Sequence, residues 1–128
     1  MGSPAVLDST AILAVIFNEP GGDAVLPVLE GGLLSAVNLA EVHTRLLHRG
    51  AAADFAWRRL MEFGCEICPF DGQQARIVAE LAAQVRPNHL SFGGRACLAL
   101  ALARKATVYT TDAAWRNLDL GIEIEVVR

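Results

Sequence analysis

Short apolar runs alternate with helix-forming stretches along the whole chain, and that alternation restricts the folds open to it. AVLD at residues 5–8 is an apolar run ending in an acid, and STAILAVIF after it stays apolar for more than two turns, which reads as strand then helix with Ser9 or Thr10 near the cap. NEPGG stops that helix, and DAVLPVLE reads as a shorter one containing Pro27, which lacks a backbone donor. GGLLSAV reads as the second strand, NLAEVHTRLLHRG as a helix closed by Gly50, AAADFAWRRLMEFG as a helix, and CEICPF as the third strand. DGQQARIVAELAAQVRP then reads as a helix with Asp71 as cap, Gln74 three residues on and Pro87 beyond its end. The Ala- and Leu-rich segment LSFGGRACLALALARK is a long helix running to Lys105. TVYTT is a strand, AAWRNL a one- or two-turn helix, and IEIEVV a strand of period two with Glu123 and Glu125 on one face, as suits a sheet edge. Helices between successive strands predict an α/β fold: a three-layer α/β/α sandwich with a mainly parallel central sheet.

At 128 residues, the sequence fits a single domain spanning 1–128, which can bury roughly two-thirds of its unfolded surface. Hydrophobic residues at 53% and charged residues at 20% exclude the composition of a disordered chain. Asp8, Glu19, Arg95 and Arg104 interrupt the apolar runs before they reach the ~20 residues of a membrane span. Asp8 and Ser9 also fall where a signal peptide would need an apolar stretch, so a cytoplasmic protein without membrane contact is expected. A net charge of −3 gives no bulk attraction for nucleic acid, and any such binding has to be local. Cys65 and Cys68 form a single C-x-x-C on a strand, which turns the thiols to opposite faces, and there is no second pair to complete a zinc site. His43 and His48 are five apart, off the spacing of a helical metal pair, and His89 reads as a loop residue.

In an open parallel sheet, sites form at the carboxyl ends of the strands. Asp8 ends the first strand, Asp112 follows TVYTT, and Glu41 is expected in the first turn of the helix after the second strand. Each has a plain structural use as well: Asp8 and Asp112 suit helix caps, and Asn38 with Glu41 has capping-box spacing. Three carboxylates gathered in one cleft repel each other, and protons or a divalent cation must offset the charge. Mg2+ or Mn2+, hard ions that take oxygen ligands and keep waters, suit such a site and the hydrolysis of a phosphate ester.

LDSTAILAVIFNEPGG, SAVNLAEV, LSFGGRACLALALA and TVYTTDAAW, in this order and at these spacings, resemble the PIN-domain ribonucleases, in particular the VapC toxins of bacterial toxin–antitoxin pairs. The resemblance covers nearly the whole chain. It implies a metal-dependent endoribonuclease in which Asp8, Glu41 and Asp112 match the first, second and fourth acids. A third acid is expected in the pattern L-x-x-x-D-R-A, where this chain has Gly94 followed by Arg95 and Ala96. Metal binding and cleavage are therefore expected to be impaired.

On that resemblance, Asp8, Glu41 and Asp112 hold Mg2+ or Mn2+ and orient a water. Ser9 and Thr110 hydrogen-bond to the carboxylates or the phosphate, and Arg95 meets a phosphate or an antitoxin carboxylate. Arg45, Arg49, Arg58, Arg59, Arg86 and Arg116 are the available local positive charges for an RNA backbone. The resemblance also implies a cognate VapB-type antitoxin seated in an apolar groove, with Phe17, Phe55 and Trp57 as lining residues, and a homodimer. Two rival classes remain: a catalytically inactive module of the same fold that only binds antitoxin or RNA, and a receiver-type phosphoacceptor domain. The second lacks its acidic pair after the first strand, and Lys105 precedes its strand where a lysine after a late strand is required.

Overall fold

A computed structural model describes residues 3–85 and 90–128; Arg86, Pro87 and His89 lie outside the described residues. Five strands, β1 (Ala5–Leu7), β2 (Leu33–Ser35), β3 (Glu66–Cys68), β4 (Thr107–Thr110) and β5 (Ile124–Val126), form one sheet in the order β3-β2-β1-β4-β5. Every neighbouring pair is parallel. The helices are α1 (Ser9–Ile16), α2 (Gly22–Leu29), α3 (Ala36–His48), α4 (Ala53–Glu62), α5 (Gly72–Gln84) and α6 (Phe92–Arg104), with a 3-10 helix at Ala113–Asn117. As expected, β5 is an edge strand with Glu125 in solvent.

Adjacent side chains of a strand point to opposite faces, and here they enter two separate cores. Val6, Leu33, Cys68 and Val108 pack with Leu81 of α5, Leu98 and Leu100 of α6, and Trp115. Leu7 and Leu34 pack on the other side with Ile12 of α1, Val25 of α2, Val42 of α3 and Leu60 of α4. This is the three-layer sandwich, with α1 to α4 on one face of the sheet and α5 and α6 on the other. The α6 helix is apolar all round because it is buried all round: eight of its thirteen residues are inaccessible.

Three helix starts differ from the sequence expectation or sharpen it. The α3 helix begins at Ala36, two residues before Asn38, because the Ser35 hydroxyl accepts from Val37 N–H (3.2 Å) and caps it. Glu41 therefore lies in the second turn, and Asn38–Glu41 is not a capping box. The α6 helix is not left uncapped by its glycines, since Ser91 Oγ accepts from Gly94 N–H at 3.0 Å and makes Gly93 and Gly94 its second and third residues. Asp71 caps α5 as expected, its Oδ1 accepting from Gln74 N–H at 2.9 Å. Asp71→Ala is expected to cost about 1 kcal/mol, seen as a lower urea midpoint with an unchanged denaturant slope.

Strand order places the site. Connections from β1 run outward through β2 to β3, whereas β4 and β5 lie on the opposite side of β1. The order reverses between β1 and β4, and at such a switch point the loops part to leave a crevice at the carboxyl ends of the two strands. Asp8 directly follows β1, and Thr110 closes β4.

Candidate functional site

Asp8 stands at the N-cap position of α1, yet its carboxylate makes no cap hydrogen bond. It is 3% exposed, and Oδ2 accepts from Thr10 Oγ1 at 2.7 Å and Thr110 Oγ1 at 2.8 Å. The same two hydroxyls accept backbone N–H groups of the turn after β4, Thr10 from Thr111 and Thr110 from Asp112, each at 3.1 Å. Burial raises the Asp8 pKa above its ordinary value; the threonine hydrogen bonds pull it back down, and the charge of Glu41 adds to the rise. A buried acid that forgoes a cap and is disfavoured as an anion is poorly explained by fold stability alone.

Glu41 reaches the crevice from α3. Its Oε1 accepts from Ser9 Oγ at 3.0 Å and from Asn38 Nδ2 at 2.9 Å. Asn38 is fully buried, and its Nδ2 also donates to the Gly93 carbonyl at 3.0 Å, which ties α3 to the start of α6. The charges of Asp8 and Glu41 both act on Cys97 in the core of α6: after burial, they are the next causes holding its thiol well above the ordinary range. Through Ser9, which follows Asp8, and Asn38, which holds the Gly93 carbonyl, Glu41 lies between the start of α1 and the start of α6.

Asp112, far from both in sequence, is tied to Asp8 through Thr110 and also serves as a cap. It is the N-cap of the 3-10 helix, with Oδ1 accepting from Ala114 N–H at 3.0 Å, so its capping use is real. At the two glycines the surroundings differ. A Cβ on Gly93 would overlap the carboxyl group of Glu41, whereas one on Gly94 would meet Trp115 Cζ2 at 3.0 Å, Ser91 Oγ at 3.4 Å and Leu90 Cδ2 at 3.7 Å. A side chain at position 94 thus enters beside Trp115 and requires the ring to give slightly. Arg95 turns to α5, donating from Nη1 to the Val78 carbonyl at 3.1 Å. Arg49 lies over the Phe17 ring at 4.5 Å, and Arg59 pairs with Glu62. Thr10, Asn38 and Gly93 are the site neighbours that sequence reasoning missed; only the Asp-x-Thr spacing at residues 8–10 gave a readable signal.

The donor set at the crevice is hard oxygen. Mg2+ is commonly held by one or two carboxylates with water and phosphate completing its shell, and Asp8 with Glu41 fits that description. A closed cage of three or more ligating side chains is not formed among the described residues. From Ser9 and Glu41, an open groove of about 760 Å³ runs between α1 and α3 to Arg45 and His48. A second groove of about 320 Å³, between α1, α3 and α4, is lined by Ile16, Leu46, Phe55, Leu60 and Phe63 with Arg59 beside them. Phe55 and Trp57 are exposed, the latter stacked on His43 at 5.5 Å. Among the described residues no helix is long and apolar enough to cross a membrane.

The PIN-domain family model matches residues 5–120. In fold, the chain is similar to DNA-bound VapBC from Salmonella typhimurium, at a TM-score of 0.71 and 19% identity with 97% of this chain and 98% of that chain covered. It is likewise similar to VapBC2 from Rickettsia felis bound to a DNA fragment from their promoter, at 0.72 and 15% identity with 94% and 96% covered. FitAcB from Neisseria gonorrhoeae gives 0.69 and 21% identity with 94% and 95% covered. At these identities the likeness establishes the fold. No curated protein matches the chain in sequence.

Proposed function

Because the chain belongs to the PIN-domain family, we propose that it is a Mg2+- or Mn2+-dependent endoribonuclease of the VapC type, the toxin of a toxin–antitoxin pair, with cleavage weakened at Gly94. The observation that carries this reading is the buried Asp8 carboxylate, brought to Glu41 at the crevice where the strand order reverses. Asp8, Glu41 and Asp112 would hold the ion, Asp112 through the Oδ2 that its Ala114 cap, made by Oδ1, leaves available. When bound, the ion lowers the pKa of a water and offsets charge developing on the phosphate. The chain's own contribution is placement: Thr10 and Thr110 fix Asp8, while Ser9 and Asn38 fix Glu41. Arg45, on the groove leading to the acids, gives an RNA backbone a positive charge there, with His48 beside it. The apolar groove at Phe55 suits a segment of a VapB-type antitoxin, and a homodimer and a cytoplasmic location go with the same reading.

Gly94→Asp tests it. Adding the third carboxylate should raise Mn2+-dependent cleavage of single-stranded RNA by about 10-fold, with Trp115 moving by a few tenths of an ångström to admit it. A folded, metal-supplied Gly94→Asp protein that cleaves no better than its parent would end the reading of this position. The capped Asp112 and the absence of a three-ligand cluster among the described residues favour one other reading, a module that binds antitoxin or RNA without cleaving. Antitoxin binding by a Gly94→Asp protein that still cleaves nothing would select it.

A further inference from the structure

The two glycines at the start of α6 have different surroundings, and the first is the one that faces Glu41. A Cβ on Gly93 would collide with Cδ and both oxygens of the Glu41 carboxyl, so this group occupies the volume a side chain would otherwise fill. Asn38 holds it there. The Asn38 amide is fully buried, and its nitrogen donates to Glu41 Oε1 at 2.9 Å and to the Gly93 carbonyl at 3.0 Å. Both acceptors lie on the nitrogen side, which fixes the orientation of the amide. Its Oδ1 is buried without a partner among the described residues. An amide kept in a core with one end unsatisfied is costly there, and its value lies in what the other end does.

We propose that Asn38 is a positioning residue for Glu41 and that Gly93 is required as glycine to seat the carboxyl group, the two together setting Glu41 against the start of α6. The geometry stands without any activity; its purpose, presenting Glu41 to a divalent ion, rests on the nuclease reading above. Glu41 is on the exposed side of α3, where an untethered glutamate would sample many rotamers in water. Ser9 Oγ and Asn38 Nδ2 remove that freedom, and the missing Cβ of Gly93 leaves the room the tethered carboxyl occupies.

The test measures Mn2+ binding to the full chain by electron paramagnetic resonance of the free ion, and the carboxyl 13C resonance of Glu41 in the metal-free protein, assigned by its loss in Glu41→Gln. Asn38→Ala should weaken Mn2+ binding about 10- to 100-fold when Glu41 is present. In a Glu41→Gln background the same change should cost less than about 2-fold, because its target is already gone. Equal losses in both backgrounds would mean that Asn38 acts on the fold at large, and the proposal would be overturned. Gly93→Ala provides the independent arm, which decides alone if Asn38→Ala does not fold. Alanine favours the helix and only the far end of a flexible side chain must move, so the thermal midpoint should hold or rise while Mn2+ binding falls by a similar factor. Parent-like Mn2+ binding by Gly93→Ala would also overturn it. The metal-free resonance should shift in both variants, and an unmoved signal rejects the seat. Where that signal moves but the parent binds no Mn2+, the seat stands and the nuclease reading falls.

Discussion

Replacing Asp8 by asparagine is expected to abolish cleavage and make the protein more stable at neutral pH. Measured in the Gly94→Asp background, the loss of RNA hydrolysis should reach about 10²–10³-fold, the scale of removing one group that stabilises charge in a transition state. The stability gain should be about 0.5–2 kcal/mol, the usual size of a single stabilising substitution. The opposite signs have one cause. Asp8 is 3% exposed, and burial disfavours its charged form more than the Thr10 and Thr110 hydrogen bonds restore it. Asparagine has the same shape and keeps an oxygen for the two hydroxyls. It needs no charge in the crevice beside Glu41.

The pH dependence separates this account from a general packing effect. The folded chain holds the Asp8 proton more tightly than the unfolded chain, whose carboxyl titrates at its ordinary 3.8. Below 3.8 both states are protonated, and parent and Asp8→Asn should be nearly equal in stability. As pH rises, the unfolded chain gives up its proton first and the parent loses stability until the folded carboxyl has also ionised. The gap between the variant and the parent should therefore open with rising pH and then level off. Urea unfolding of both proteins across that range checks it, and a gap independent of pH would assign the effect to packing.

The fold was readable because the strands are short and every one but the last is followed by a helix, which favours parallel pairing. Asp8 was readable for the same reason, as the polar residue that ends an apolar run. Glu41 is expected in the first turn of its helix and lies in the second, because Ala36 and Val37 read as strand and are drawn into α3 by the Ser35 cap. Gly93 and Gly94 carry no side chain to cap α6, and Ser91 does so from before them, its hydroxyl reaching Gly94 N–H. Asn38, Gly93 and the contact of Thr10 with Thr110 could not be found from spacing. Their roles depend on which way α1, α3 and α6 face each other across 55 residues or more: Asn38 meets the Gly93 carbonyl at a separation of 55, and Thr10 meets Thr110 at 100. Local sequence carries no record of such pairings until the sheet order is known.

Thr110→Val should be the most destabilising of the site substitutions, by about 2–3 kcal/mol. Valine matches threonine in shape, so a fully buried position loses no packing and the cost falls on polar groups alone. Two are affected: Asp8 Oδ2 keeps Thr10 but loses its donor at 2.8 Å, and Asp112 N–H loses its acceptor at 3.1 Å. Thr10 makes the equivalent pair of bonds but is only half-buried, so water can replace its hydroxyl, and Thr10→Val should cost about 1 kcal/mol. The Thr110 bond favours the ionised form of Asp8, and removing it moves that carboxyl further upward. The penalty of Thr110→Val should accordingly be smallest in acid, grow as pH rises through the folded value of Asp8, and level off when Asp8 is charged in both proteins. Guanidinium unfolding at a series of pH values reads this directly; a penalty that stays constant would place the value of Thr110 in the Asp112 turn and not in the anion of Asp8. Either way the hydroxyl couples the two strand ends that flank the crevice, and a loosened Asp112 turn beside a more readily protonated Asp8 should bind Mn2+ more weakly than the parent.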